Sequence, residues 1–309
     1  MVLAAQAVEE IVFGEMKIVP TEISLRDVCV SYATGGSTRK TVISNLSLDI
    51  EAGEFVVVLG ETGCGKSTLL RLVLGQEFPT TGTLVVDGKR VNRIDARCGY
   101  VPQKYGLFPD RTMIENVMYG PENAYCGWLG RLLPSFWGFR KKLRRDAESI
   151  LIRMGLRAAD MKKYPHQLSG GMQQRVAIAQ ALIMSPPVLL MDEAFSALDP
   201  ATRGSLQQQL KEVWQESKPT VLFVTHNTAE ALLLGTRLII MRPHNDARPE
   251  GNVLLDMKLP QSSDSIATRL QSKEFQELKE FVELQAFGAT KESEDIQSMQ
   301  GIYERGESL

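Results

Sequence analysis

The stretch "LGETGCGKST", Leu59 to Thr68, places three glycines and a lysine directly behind the apolar run "EFVVVL". That run is short and rich in β-branched residues, which is typical of a buried strand. The following "KSTLLRLVLG" carries leucines at helical spacing. A turn of the form G-x-x-x-x-G-K-[ST] between a strand and a helix is the setting in which this pattern binds phosphate groups. The stretch therefore predicts a strand, a phosphate-binding loop and a helix.

The residue types of this loop suit a nucleoside triphosphate. Glycines leave the backbone N–H groups open to phosphate oxygens, and the helix N-terminus adds a partial positive charge. Lys66 can reach the β- and γ-phosphates, and the Ser67 hydroxyl can ligate Mg²⁺. A glycine-rich turn with a chance lysine and serine is the alternative, and the flanking strand and helix argue against it. The predicted nucleotide-binding residues of the loop are Gly60, Thr62, Gly63, Cys64, Gly65, Lys66, Ser67 and Thr68.

A second apolar run ends in two adjacent acids, in "PVLLMDEAFSALDP" from Pro187 to Pro200. In a phosphate-binding fold of this kind, an acid at the strand end, here Asp192, holds Mg²⁺. The next acid, Glu193, can then act as general base toward the attacking water. Acids stabilised at the start of the following helix are the alternative. The apolar strand before the pair favours the catalytic interpretation.

A third motif, "LSGGMQQR" from Leu168 to Arg175, sets a serine and two glycines at the start of a long helix. It is a second anion-binding helix start, with a hydroxyl in place of a lysine. With this motif the chain resembles the ATP-binding cassette family over roughly residues 22 to 245, because "LSGGMQQR" matches the family signature. The resemblance implies nucleotide contacts for Tyr32 as the adenine-stacking ring, Ser169, Gly170, Gly171 and the D-loop Asp199. It implies catalytic roles for the Q-loop Gln103 and the switch His226, with Gln103 also contacting Mg²⁺.

The resemblance also implies the fold. It is an α/β P-loop NTPase core with a mostly parallel sheet, an antiparallel β subdomain and an α-helical signature subdomain. Residues 1–20 would be an N-terminal extension and 21–259 the nucleotide-binding domain, with the helical subdomain at about 111–184. Residues 260–309 would be a C-terminal helical extension and a polar tail. An apolar stripe supports that helix, through Ile266, Leu270, Phe275, Leu278, Phe281 and Val282.

The implied working unit is larger than one chain. In this family the signature serine and glycines of one cassette close over the γ-phosphate held by another, so two chains form two composite ATP and Mg²⁺ sites head to tail. A single cassette per chain leaves a homodimer or a pair with a separate cassette open.

The other implied partners are transmembrane permease subunits and, indirectly, a solute-binding protein, at the cytoplasmic face of the inner membrane. The segment "QKYGLFP", Gln103 to Pro109, would contact the permease through Tyr105, Leu107 and Phe108.

Composition restricts the function classes. The 309 residues carry a net charge of -2, which gives no global field for nucleic acid. The four cysteines form no CxxC pair, so neither a zinc site nor a disulfide framework is indicated. We expect no secretory signal, because no basic segment followed by an apolar one begins the chain. No apolar run approaches the roughly 20 residues of a spanning helix.

Short sequence segments within and around the motifs favour an importer. "YPHQLSGGMQQRVAIAQAL" and "VTHNTAEALLL" resemble the ATPases of nitrate, sulfonate and taurine importers, and "LRLVLGQEFPTTG" resembles their urea-carboxylase-related or guanidinium branch. Two positions depart from the family: Ala194 replaces a proline and Asn227 an aspartate. An exporter ATPase is the nearest alternative. A DNA-repair ATPase or a translation factor is a further one, although the chain has neither heptads nor zinc spacing. The sequence does not name the solute.

Two local features have open interpretations. Cys64 lies beside Lys66, where a positive charge could lower the thiol pKa, or it is simply a small residue between glycines. The insertion "CGWLGRLLPSFWGFRKKLRR", Cys126 to Arg145, combines aromatic residues with a basic run. It could lie at a membrane surface or clasp a partner helix. Alternatively, it packs on its own subdomain and leaves a solvated basic face.

Overall fold

The computed structural model describes residues 23–33, 39–94, 97–125, 134–245, 251–261 and 266–288. The predicted N-terminal extension and the polar tail from residue 289 onward lie outside the described residues. So does the 126–133 part of the aromatic and basic insertion.

The described residues form ten strands and eight α-helices. The strands are β1 Ile23–Ala33, β2 Arg39–Ile50, β3 Phe55–Gly60, β4 Thr81–Val86, β5 Lys89–Arg90, β6 Cys98–Val101, β7 Val188–Asp192, β8 Thr220–Thr225, β9 Arg237–Met241 and β10 Val253–Lys258. The helices are α1 Lys66–Leu74, α2 Met113–Tyr125, α3 Pro134–Arg153, α4 Gly170–Leu182, α5 Pro200–Ser217, α6 Thr228–Leu234, α7 Ile266–Gln271 and α8 Lys273–Phe287. None of these helices is long and apolar enough to cross a membrane.

The strands form two sheets. One has six strands in the order β10-β9-β3-β8-β7-β6 and is parallel except for the edge strand β10. The other has four antiparallel strands in the order β2-β1-β4-β5. Asp87 and Gly88, both at positive φ, make the two-residue turn between β4 and β5. The predicted P-loop α/β fold with an antiparallel β part is confirmed.

The central strand β3 shows how the core is divided. Every residue from Phe55 to Gly60 is buried, as expected for a parallel strand covered on both faces. Alternate side chains enter different clusters. Phe55, Val57 and Leu59 belong to one, and Val56 and Val58 to the other, which also contains the apolar side of α1. The Phe55 ring packs edge-on against Trp214 of α5, with ring centroids 5.6 Å apart.

The parallel sheet sets the position of the functional loops. The "GETGCGKST" loop follows β3, the Asp192-Glu193 pair ends β7, and His226 follows β8. β8 lies between β3 and β7. Because parallel strands point the same way, their carboxyl ends share one edge of the sheet, where ligands of open α/β sheets bind. The fold therefore brings these three segments together.

Helices fill the segment between β6 and β7. It contains α2, α3 and α4, with short 3₁₀ turns at Ala158–Asp160 and Pro165–Gln167. The C-terminal extension forms two helices, α7 and α8, rather than one continuous helix. Ser272 begins the second by accepting a hydrogen bond from the Phe275 N–H at 3.2 Å. Phe275, Leu278, Phe281 and Val282 are buried as expected, whereas Leu270 is 37% exposed, so its assignment to the buried stripe was wrong.

Candidate active site

The phosphate-binding loop is organised around Lys66. The loop turns into α1 at Gly65, whose φ of 104° is a left-handed conformation that favours glycine. The Lys66 side chain folds back into the loop. Its Nζ donates to the backbone carbonyl of Gly60 at 2.6 Å and to that of Glu61 at 2.8 Å. The ammonium group is thereby held in the loop, where its charge faces any anion that the loop binds.

Asp192 lies on the other side of this loop. The Ser67 hydroxyl hydrogen-bonds to its carboxylate. Burial and the neighbouring Glu193 carboxylate raise the pKa of Asp192, and the charges of Arg71 and Lys66 only partly offset this. Two adjacent acids in a half-buried site favour a bound cation, and carboxylate and hydroxyl oxygens are ligands that Mg²⁺ accepts. The donor set of Ser67 and Asp192 therefore fits the predicted magnesium site.

Glu193 is the centre of the predicted catalytic group. Gln103 Nε2 donates to Glu193 Oε2 at 2.8 Å, and His226 Nδ1 lies 3.2 Å from Glu193 Oε1. The Glu193 backbone has a φ of 44°, which few residues other than glycine adopt, and its N–H donates to the Val224 carbonyl of β8 at 2.9 Å. The structure thus brings together all three predicted catalytic residues, although they come from three separate segments.

The signature residues form a second group. Ser169 is exposed and begins α4 by accepting a hydrogen bond from the Met172 N–H at 3.3 Å. Asp199 begins α5 in the same way, accepting from the Thr202 N–H at 3.0 Å. A Cβ added to Gly171 would lie 2.5 Å from the Thr202 methyl group, so the two helix starts pack together. Within the described residues, no hydrogen bond joins this group to the phosphate-binding loop.

Comparisons with known proteins indicate one family. Residues 43–196 match the family model described as ABC transporter. The chain is 36% identical over 267 residues to the aliphatic sulfonates import ATP-binding protein SsuB of Bacillus cereus, covering 86% of this chain and 95% of that protein. It is 38% identical over 242 residues to the taurine import ATP-binding protein TauB of Roseobacter denitrificans, covering 78% and 83%.

The chain belongs to the ABC transporter family. A solved dimeric, post-hydrolysis ATP-binding cassette with ADP and Pi bound has a TM-score of 0.65 and 32% identity to this chain, covering 78% of this chain and all of that one. The family resemblance predicted from the sequence is confirmed, and the chain is an ATPase of this family. The guanidinium-branch assignment stays a prediction.

In the cassette, Tyr32 lies at the end of β1 beside α1. Its hydroxyl donates to the Glu77 carboxylate and also hydrogen-bonds with Thr68 of α1. Burial raises the pKa of Tyr32, as does the hydrogen bond to Glu77. The ring is still 39% exposed. An exposed ring next to the helix of the phosphate-binding loop is available to stack on a base.

The two departures from the family pattern keep the cassette's geometry. Asn227 accepts a hydrogen bond from the Glu230 N–H at 3.2 Å and so begins α6, a role for which asparagine and aspartate are about equally good. Ala194 is 2% exposed and packs in the main hydrophobic cluster. Its small side chain fits the buried turn after Glu193.

Sequence reasoning missed two supports of the cassette. Glu230 is 4% exposed and accepts a hydrogen bond from the Thr225 hydroxyl at 2.7 Å. Arg203 of α5 lies 3.6 Å from the same carboxylate, and it also donates to the Leu198 carbonyl at 2.9 Å. Burial raises the pKa of Glu230. This pair connects the segment around Asp199 with the helix behind His226. No local sequence pattern indicates such a long-range contact.

A cleft of about 320 Å³ opens beside the Q-loop of the cassette, and Tyr105, Gly106 and Gly120 are among its lining residues. A Cβ added to Gly170 would lie 2.6 Å from the Tyr105 hydroxyl, so this ring reaches the signature helix. Leu107 packs against the main core, whereas Phe108 is 37% exposed and packs at a tilted angle on Tyr119, with ring centroids 4.4 Å apart. Of the three predicted permease contacts, Tyr105 and Phe108 are therefore accessible, and Leu107 serves the core.

Proposed function

We propose that the chain is the ATP-hydrolysing subunit of an ABC importer and energises uptake of a small polar solute through a separate permease. Two relatives at 36% and 38% identity are named as import ATP-binding proteins for aliphatic sulfonates and taurine, which supports import. The proposed coupling of ATP hydrolysis to the permease rests on the segment from Gln103 to Phe108. Its first residue hydrogen-bonds to Glu193, Tyr105 and Gly106 line the cleft, and the exposed Phe108 follows them in the chain.

The roles of the site residues follow from their contacts. Lys66 and the backbone of its loop bind the phosphates, and the Tyr32 ring stacks on the base. Glu193 takes a proton from the attacking water as general base. Gln103 and His226 orient its two carboxylate oxygens, since each contacts a different one. The strained backbone at Glu193 fixes the direction in which the carboxylate points.

Mg²⁺ is the metal ion that we propose for this site. Ser67 and Asp192 would hold it, and the side-chain oxygen of Gln103 is the third proposed ligand. When bound, the ion neutralises charge on the β- and γ-phosphates. Its presence would also favour the ionised form of Asp192, whose pKa is raised by burial and by Glu193.

The second group of residues acts on a partner's nucleotide. Ser169, Gly170 and Gly171 offer a helix start with an exposed hydroxyl, which is an anion-binding arrangement. Because no hydrogen bond connects them with the phosphate-binding loop of their own chain in the described residues, a head-to-tail pair with shared sites is the assembly we propose. Asp199, exposed at the start of α5, would contact the same interface. The solved relative with ADP and Pi is described as dimeric, which supports this arrangement.

The complete transporter would contain two such subunits at the cytoplasmic face of the inner membrane, transmembrane permease subunits and a solute-binding protein that selects the cargo. The cleft beside Tyr105 is the proposed docking place for a short cytoplasmic permease helix. The same segment then contacts both Glu193 and the partner, which is the physical requirement for coupling hydrolysis to movement.

The test is a double variant, Tyr105→Ala with Phe108→Ala, assayed in the reconstituted transporter. It removes the two accessible rings but no group that contacts phosphate. We expect ATP binding by the isolated subunit to stay near wild type, and transport per ATP hydrolysed or co-purification with the permease to fall about tenfold, as for loss of interface anchors.

The matched control is Phe78→Ala with Phe287→Ala, which removes two rings that are 52% and 38% exposed and lie outside the cleft lining. This control should transport normally. If the Tyr105 and Phe108 variant also transports normally at equal thermal stability, the coupling surface lies elsewhere and the proposal fails in this part.

A further inference from the structure

We propose that the exposed face of α3 binds an anionic lipid surface and so holds the helical subdomain against the membrane. This basic face consists of Trp137, Lys141, Lys142, Arg144 and Arg145. The proposal goes beyond the importer assignment, since it concerns lipid rather than the permease.

The composition around this helix differs from that of the whole chain. Residues 123–145 contain six lysines and arginines and no aspartate or glutamate, in a chain of net charge -2. The same segment holds two of the three tryptophans of the chain, Trp128 and Trp137. Lysine and arginine beside tryptophan are the residues that collect at the headgroup region of membranes.

The structure divides the residues of α3 between two faces. Phe136, Phe139 and Leu143 are buried in the main core. The Phe139 ring stacks on Tyr125 of α2, with centroids 3.9 Å apart. Trp137, between those two phenylalanines, is 62% exposed. Since residues four apart share a helix face, Trp137, Lys141 and Arg145 lie along one exposed stripe.

The cations of this stripe are not used to stabilise the fold. Arg140, which lies off the stripe, turns inward and pairs with Glu122 of α2 at 2.7 Å. Arg144 pairs with Glu148 one turn further at 3.2 Å. Lys141 and Arg145 are exposed and have no ion-pair partner among the described residues. Two unpaired cations and an exposed indole on one stripe leave a surface that is complementary to negative charge and able to bury an aromatic ring.

A lipid surface fits this face better than a protein segment does. The face lies on the outside of a helix, and the cleft beside Tyr105 contains no residue of α3. A bilayer needs no groove, because the indole enters the headgroup region while the long cationic side chains reach the phosphates. The helix is joined to α2 by the Arg140–Glu122 pair, and α2 contributes Gly120 to the cleft proposed to receive the permease. That neighbourhood brings α3 near the proposed docking place of the permease.

Binding of the full-length chain to vesicles tests the proposal directly. We expect sedimentation with phosphatidylglycerol-containing vesicles, little with pure phosphatidylcholine, and a steep loss of binding as salt is added. Lys141→Gln with Arg145→Gln should weaken the partition coefficient by ~25-fold, from about fivefold for each cation removed near an anionic surface. The charge-matched control, Lys162→Gln with Lys273→Gln, changes exposed cations elsewhere and should stay within about twofold of wild type.

The contribution of Trp137 to lipid binding is measured by fluorescence quenching. Tryptophan fluorescence should be quenched by lipids brominated in their acyl chains, and Trp137→Ala should reduce both the quenching and the vesicle binding. Phe287→Ala, a change at another exposed ring, should alter neither. All four variants should hydrolyse ATP at the wild-type rate, because none of these residues contacts the active-site residues, and that rate reports correct folding.

Two outcomes overturn the proposal. One is equal sedimentation of the wild type with anionic and neutral vesicles, and the other is unchanged binding of the Lys141 and Arg145 variant. If that variant instead loses affinity for detergent-solubilised permease while vesicles bind neither protein, the face is a protein docking site. No permease is present in the vesicle assay, so its failure leaves the importer proposal standing.

Discussion

At the scale of single residues, Glu193 illustrates what sequence patterns convey and what they omit. An acid pair after an apolar strand predicts the residue and its chemistry. The pattern does not predict the left-handed φ of 44° or the hydrogen bond of its N–H to Val224 on the neighbouring strand. It also does not predict which carboxylate oxygen contacts Gln103 and which contacts His226. Those details depend on three loops meeting at one sheet edge.

The burial of Cys64 predicts a low reactivity of its thiol. The side chain is fully buried, and burial raises the pKa of its thiol despite Lys66, whose Nζ lies 3.7 Å from the sulfur. The interpretation of a small residue between glycines is therefore favoured over an activated thiol. A raised pKa means less thiolate at any pH below it, so iodoacetamide should label Cys64 at least ~10-fold more slowly than Cys29 and Cys98 in the native protein.

Peptide mapping by mass spectrometry after labelling at mildly alkaline pH measures the relative labelling rates of the three cysteines. Denaturant should remove the difference, which serves as the control for intrinsic reactivity. Faster labelling of Cys64 than of the two half-buried cysteines would mean that Lys66 dominates over burial, contrary to this account.

At the scale of elements, buried polar side chains connect segments that are distant in sequence. Asn252, just before β10, is fully buried. Its Oδ1 accepts from the Ser44 N–H at 2.7 Å, and its Nδ2 donates to the carbonyls of Val42 at 2.9 Å and Arg242 at 3.1 Å. A longer contact, 3.4 Å, reaches the Cys64 carbonyl behind the phosphate-binding loop. One side chain therefore joins both sheets to that loop.

Replacing Asn252 with leucine, which has a similar size, should leave several buried backbone groups without partners. Each such group costs about 1–3 kcal/mol, so we expect the free energy of unfolding to fall by at least ~3 kcal/mol. Urea denaturation followed by circular dichroism measures the change. Asn92→Leu, at an exposed position, is the control and should change stability by less than about 0.5 kcal/mol. Equal midpoints for the two variants would show that Asn252 does not support the fold.

The sequence predicted the type of most elements here because their apolar periods are regular. It placed the strands before the phosphate-binding loop and the acid pair, and the helix after that loop. The helices between β6 and β7 were expected from the family resemblance instead. It missed the division of the C-terminal extension into α7 and α8, although a serine at position 272 is a helix-start signal. Contacts such as Asn252 with Ser44 or Arg203 with Glu230 could not be predicted, because they join residues that no local pattern relates.

At the scale of the whole molecule, two surfaces are proposed to bind nucleotide, and no hydrogen bond joins them within the part of the chain that the structure describes. One is the loop around Lys66 with Asp192 and Glu193. The other is the exposed start of α4 at Ser169. The sequence predicted both from ordered motifs, and the proposed head-to-tail pair is the arrangement in which each completes the other. The proposed assembly rests on the claim that the two surfaces form one shared site.

Sedimentation velocity of Glu193→Gln with and without ATP tests that claim most directly. The variant keeps the shape of the side chain but lacks the base, so hydrolysis should slow ~10²–10⁴-fold and the ATP-bound state should persist. We predict a monomer without ATP, a dimer with ATP, and a monomer with ATP bound once Ser169→Arg is added to block the interface. A monomer despite bound ATP, or a dimer that forms equally well in the presence of Ser169→Arg, would contradict the shared site.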